Sequence, residues 1–330
     1  MSTENEDGRP SSSRPLPGRL VLRIAAIMVA YFLAHQLAFL FPDTEKTIMA
    51  LWPAGGIGLA ALLLSPVRLW PTIVLGLYIA GVSADVLLAG RSFLTSFGYM
   101  TGNMVESLGC AWLITRGDGR TVRFSRVTEV LALVAGAVFV NAGSACIGAG
   151  AAALGTGVSF QGSWLSWYVS DGLGIILVTP LIVAFSDLPG SWRGWRRDRA
   201  AESVGFLGLF SWIAWQAFQL DATSHVFHPR TYMVVALLVW PALRLGPRAV
   251  ATALAVLAGI AITSPAVTTG PLPWGGENLA ERLLITQLFL GFVASTGLLL
   301  AAGFAETKSA QIALKNIEGK FERIFNSATN

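Results

Sequence analysis

WLSWYVSDGLGIILVTPLIVAF, residues 164–185, holds a single charged side chain, Asp171, within a run long enough to cross a bilayer. A hydrocarbon core of about 30 Å takes about 20 apolar residues of α-helix, so the stretch reads as a membrane span. The aspartate inside it is then an anomaly, because a charge at such depth costs at least about 2.5–3.5 kcal/mol by insertion scales. The whole chain shares this character. Its 330 residues are 54% hydrophobic and 13% charged, where soluble domains carry about 25% charged residues, and the mean hydropathy is +0.61. The composition is that of an integral membrane protein. Cys110 and Cys146 both fall in apolar runs; they supply no disulfide framework or Cys-rich metal site and read as small core hydrophobes. Residues 1–19 are polar and rich in Ser, Pro and Gly, the composition of a disordered tail. No small-residue cleavage site follows the first apolar run, which is therefore expected to be kept as a helix.

Applied along the chain, the length rule predicts an all-α bundle of about ten transmembrane helices. They run from Leu20 to Phe41, Ile48 to Ser65, Leu69 to Ala89, Phe93 to Thr115, Val127 to Gly150, Ser163 to Phe185, Ser203 to Leu220, Thr231 to Leu245, Ala249 to Ser264 and Leu279 to Phe304. The eighth and ninth are short. Lysine and arginine are retained on the cytoplasmic side. With the N-terminus inside, 19 of the 23 fall on inner loops and four, Lys46, Arg91, Arg230 and Arg282, on outer ones. One span missed or invented would invert every later loop, so the count favours an even number with both ends cytoplasmic. The pI of about 9.3 then reflects topology, and no basic stripe interleaved with aromatics points to nucleic acid.

Helical rise of about 1.5 Å per residue converts position into depth. Counted from Trp164, Asp171 lies about 10 Å below the outer surface; Asn103 and Glu106, in TGNMVES, lie about 15 and 20 Å below it. His35, Asp85, Asn141, Gln216 and Gln287 also fall in the outer half, above a floor of Leu, Val, Ile and Ala. Polar groups in hydrocarbon must find partners or water. These residues are therefore expected to converge on one polar pocket open to the periplasm, with Asn103 and Glu106 on one helix face and Asp171 on the same wall. Each also has a plainer reading. Glu106 and Asp171 could clamp neighbouring helices; Asn141, in VNAGSACIGAGAAALG, could be packing glue beside small residues. Trp52, Trp164, Trp167, Trp192 and Trp195 fall at span ends as interface anchors, although Trp167 could roof the pocket one turn above Asp171. His35 reads as a satisfied core histidine, and His225 and His228, in HVFH, lack the further ligands of a metal site.

Four ordered motifs carry a resemblance. LWPAGGIGLAALLL (51–64), the RLWP turn (68–71), NMVESLGCAWLITR (103–116) and the opening stretch resemble the first membrane-associated sensor family, MASE1, over about Leu20 to Phe304. The resemblance implies about eight spans. It implies an input domain of bacterial signalling proteins, typically fused to PAS, diguanylate cyclase, cyclic-di-GMP phosphodiesterase or histidine kinase modules. Motif by motif it carries over Trp52, Pro53, Gly56, Asn103, Glu106, Trp167, Asp171 and Gly174; Arg68 and Pro180 lie within the same motifs. From Gly303 onward, the residues Gly303, Thr307, Ala310, Leu314, Ile317, Phe321 and Ile324 alternate spacings of four and three, the seam of a coiled coil. Residues 305–325 therefore read as a cytoplasmic signalling helix suited to a homodimer, and KFERIFNSATN, 320–330, resembles the start of a PAS domain.

The expected function is a sensory input domain in the bacterial inner membrane. A small ligand from the periplasmic side would sit on Trp52, Asn103, Glu106, Asn141, Trp167 and Asp171, with the lipid bilayer as the other partner and no cofactor or metal. A secondary transporter of a small polar solute is the alternative: VWPALRLGP (239–247) echoes LWPAGG and SPVRLWP, but as a parallel rather than inverted repeat. Catalysis within these residues is not expected, because no nucleophile motif, P-loop or zinc signature accompanies the acids. A depth gap of about 10 Å between Glu106 and Asp171 is wide for a shared substrate.

Overall fold

The computed structural model describes residues 17–38, 49–116, 121–186, 197–218, 231–264 and 278–328, and every regular element among them is helical. The α-helices are α1 (Pro17–Ala38), α2 (Pro53–Leu63), α3 (Trp70–Leu87), α4 (Phe93–Thr115), α5 (Val127–Ala135), α6 (Asn141–Thr156), α7 (Phe160–Phe185), α8 (Arg197–Ala217), α9 (Thr231–Leu237), α10 (Val239–Arg244), α11 (Pro247–Thr263) and α12 (Leu279–Ala328). A short 3-10 turn, Val67–Leu69, leads into α3, and a π-turn, Gly136–Val140, joins α5 to α6. Residues 1–16 of the N-terminal tail, Lys46, Trp192, Trp195, the HVFH loop and Arg230 lie outside the described residues, while 17–19, expected in the tail, form the start of α1.

Each expected span falls on helix, but lengths differ. Five helical stretches are long and apolar enough to cross a membrane: 18–37, 67–87, 127–156, 160–185 and the first part of α12. The helix α4 has the length but carries Thr, Ser, Asn and Glu on its faces. The expected span from Ile48 to Ser65 is helical only over α2; Met49–Trp52 is not helical. Pro53 explains the shortening, since the residue before a proline is pushed out of the α region, and Trp52 has φ −111° and ψ 83°. The span from Thr231 to Leu245 is interrupted at Leu238, three residues before Pro241. Proline lacks the N–H that would continue the helical ladder.

Helix ends follow local chemistry. The Ser92 hydroxyl accepts from the Thr95 N–H at 3.2 Å to start α4, and Ser159 caps α7 in the same way, each satisfying a donor that the first turn leaves free. Gly157, at φ +73°, ends α6 in the left-handed conformation that glycine adopts without steric cost.

The core sits where α2 packs into the bundle. Ten of its residues are buried, and it crosses α7 at backbone contact: a Cβ on Gly56 would come 2.5 Å from the Gly174 carbonyl oxygen, and one on Gly174 would come 2.0 Å from that of Trp52. The Thr179 hydroxyl, beside the in-helix Pro180, donates to the Gly56 carbonyl at 3.1 Å. Arg23 donates to the Leu64 carbonyl at 2.6 Å, closing the far end of α2, while Arg68 in the following turn is exposed. Cys110 is buried, but Cys146, expected in the core, is exposed on α6; the small-residue face of α6 turns inward instead.

Candidate functional site

Met49–Trp52 forms an extended strap held on two sides. Toward α7, the Met49 N–H donates to the Ser166 hydroxyl at 3.1 Å and the Trp52 N–H to the Ser170 carbonyl at 3.2 Å. Toward α12, the Gln287 side-chain amide donates to the Met49 and Ala50 carbonyls at 2.7 and 2.8 Å. Non-helical backbone survives at membrane depth only where protein or water satisfies it, and Gln287 supplies that satisfaction from the helix that leaves the bundle.

Above the strap lies a cavity of about 710 Å³, walled by the last turns of α1, α3 and α6, the first turns of α4 and α7, and the strap itself. Trp52, Asn103, Trp167 and Asp171 line it. Asn103 is 2% and Asp171 3% exposed. The Ser170 hydroxyl donates to Asp171 Oδ1 at 3.1 Å; Asn103 Oδ1 and the indole nitrogens of Trp52 and Trp167 have no protein partner, and Asp171 Oδ2 has only the Glu106 carboxyl against it. Buried polar atoms are nearly always paired, so these are open to water or a ligand, as are Glu106 Oε1, Ser107 Oγ, Asn141 Oδ1 and Gln287 Oε1, off the cavity, to water. Trp167 fits there because two helices lack side chains: a Cβ on Gly148 would come 2.5 Å from its ring, and one on Gly102 3.4 Å. Trp52, expected as an interface anchor, is 8% exposed and packs edge-on to His35 with ring centroids 4.9 Å apart.

Glu106 lies beneath this wall, fully buried and off the cavity surface. Its Oε2 accepts from the Ser144 hydroxyl at 3.3 Å, and its carboxyl is within hydrogen-bonding reach of that of Asp171. The expected depth gap is therefore corrected. The helix α7 begins at Phe160 rather than Ser163, which puts Asp171 about 16 Å along its helix against about 20 Å for Glu106 on α4. A Cβ on Gly55 would come 3.1 Å from Glu106 Oε1, so the carboxyl rests against the first turn of α2, where the helix dipole favours negative charge. Asn141 is also off the cavity. Its amide donates to the Tyr168 carbonyl at 2.6 Å, tying α6 to α7. Gln216 does not line the cavity either.

At the mouth stand His35 and Asp85, both expected in the polar pocket, and Arg91, which was not assigned to it. His35 Nε2 lies 3.1 Å from Asp85 Oδ1, and Arg91 forms an ion pair with the same oxygen. The Arg91 guanidinium stands 5.2 Å over the Tyr99 ring, which in turn packs on Trp167 at 5.4 Å. Arg91 was legible as one of four cations on the outer side; its partner Asp85 lies six residues earlier, near the end of α3.

No curated protein and no solved structure matches the chain. A family model, MASE1, matches residues 19–308, a range that holds every helix described above up to the outer part of α12 and every residue of the cavity. The chain belongs to the MASE1 family, membrane-associated sensory domains of signalling proteins.

Proposed function

We propose that the chain is the sensory input domain of a protein in the bacterial inner membrane, and that a small ligand entering the cavity from the periplasmic side is its stimulus. The observation that carries this reading is the double grip on the strap. Met49 and Trp52 line the cavity along with Ser166 and Ser170, while Gln287 of α12 holds the carbonyls of Met49 and Ala50. A ligand that favours one position of the strap thereby favours one position of α12, which is all that a population shift requires. The helix α12 runs unbroken for 50 residues, about 75 Å, so a displacement at Gln287 travels along a rigid rod to the cytoplasm. There the exposed Leu314, Ile317 and Phe321 pair with those of a second copy and drive a PAS-linked output, a cyclic-di-GMP enzyme or a histidine kinase.

The topology proposed is ten helical passages, α2 being a half-passage completed by the strap, with both ends cytoplasmic. Contacts between helix ends support it. Arg23 reaches the end of α2, Arg248 the end of α7 at the Ala184 carbonyl, Arg244 pairs with Glu202 at 2.5 Å, and Glu306 of α12 accepts from the Val127 N–H at 3.2 Å. Every one of these joins ends that the charge count puts inside.

One feature favours the transporter: an interrupted helix beside buried carboxyls is how many transporters build their sites. Below Glu106, however, α2, α4 and α7 close on Leu59, Leu62, Cys110, Ile175 and Leu177, each at most 4% exposed, with Ser107 and Thr179 the buried polar side chains among them on α4 and α7. The deciding experiment is Gln287→Leu in the full-length protein. Loss of stimulus-dependent output with normal membrane levels is expected; unaltered response would remove the strap from the signal path, and solute uptake by proteoliposomes would establish transport.

A further inference from the structure

Among the described residues, the acidic and basic side chains lining the cavity are His35, Asp85, Arg91 and Asp171. They divide into two groups. At the mouth, Asp85 is balanced by Arg91 and His35. At the floor, Asp171 has Glu106 against it, and among the described residues no lysine, arginine or histidine pairs with either. Asn103 adds an unpaired carbonyl oxygen to that floor from a side chain 2% exposed. Acceptors and acid thus converge on one end of a cavity that Trp52 and Trp167 also line, each with an unpartnered indole N–H. Out of water, an opposite charge beside a carboxyl favours its ionised form. Aromatic faces attract cations and indole does so best, as Arg91 over Tyr99 already shows at the rim.

We infer that the cavity binds a small organic cation whose ammonium group rests on Asp171 and Asn103 between Trp52 and Trp167. This names the ligand class for the sensory site and rests on that reading. An anion would meet Asp171 and the Asn103 carbonyl head-on. A bare metal ion would lack ligands, since no cluster of three His, Cys, Asp or Glu side chains occurs among the described residues, and most of the volume would stay empty.

The test uses the full chain in lipid nanodiscs with two ammonium probes, tetramethylammonium and 1,4-diaminobutane, against glutarate and erythritol as anionic and neutral probes. Tryptophan fluorescence reports occupancy. Saturable binding of the ammonium probes is expected, weakened about tenfold or more in Asp171→Asn and several-fold in Trp167→Phe, the milder variant kept in case the first does not fold. Separately, in a Cys146→Ser background, an impermeant maleimide should reach Thr156→Cys, which lines the cavity, from the outer face, and an ammonium probe should slow it. Labelling with protection by glutarate or erythritol alone overturns the cation and leaves the outward cavity standing. Labelling with no binding of ammonium overturns the cation as well. Absence of labelling overturns both.

Discussion

Asp171 and Glu106 share one environment from two helices, with Ser170, Ser144 and the start of α2 around them. Hydrogen bonds between membrane helices contribute only about 0.6 kcal/mol each, too little to offset two carboxyls by clamping alone. Removing either charge is expected to lock or silence output, so Asp171→Asn and Glu106→Gln should alter the output of the full-length protein while membrane-fraction levels hold. Normal output from both variants would reduce them to packing residues. Trp167 gives a second test. Gly148→Ala places a methyl 2.5 Å from the indole, and overpacking of this kind costs about 1–3 kcal/mol. A lowered melting temperature with a shifted tryptophan emission is expected; wild-type values for both would mean that Trp167 is not seated against α6. At this scale the sequence showed which polar residues were anomalous for a bilayer, Asn103, Glu106 and Asp171 among them. It did not show that the two acids touch, because a start three residues earlier in α7 alters the depth of everything after it.

Among the elements, α2 and α12 carry the proposed mechanism. The hydropathy of Ile48–Ser65 read as one span, and only the proline at 53 marked the break into strap and half-helix. The partners of the strap, Ser166, Ser170 and Gln287, lie 117 or more residues away in sequence, so spacing could not reveal them. The C-terminal part of α12 was legible from its repeat alone, since alternating spacings of four and three need no tertiary contact to be seen. Leu314 and Ile317 are 58% and 51% exposed. Leu314→Asp and Ile317→Asp together are expected to convert a cross-linkable dimer to monomer in detergent and to abolish output, with ligand binding retained. Dimer yield equal to wild type would leave this helix a monomeric rod.

For the molecule as a whole, two independent readings meet. Lysine and arginine counts put the ends of α1, α3 and α6 and the starts of α4 and α7 outside, and those are the ends that surround the cavity. The helical bundle was legible because a membrane demands long apolar runs. The group at its mouth was legible in part: His35 and Asp85 stood out as polar residues of the outer half, but that they meet each other, and Arg91 six residues after Asp85, depends on packing. The account stands on a chamber open to one face and closed to the other. The direct measurement is maleimide labelling of Ser166→Cys, in a Cys146→Ser background, in sealed vesicles of each orientation. Labelling from the periplasmic face alone is the required result; labelling from the cytoplasmic face, or equally from both, would contradict it.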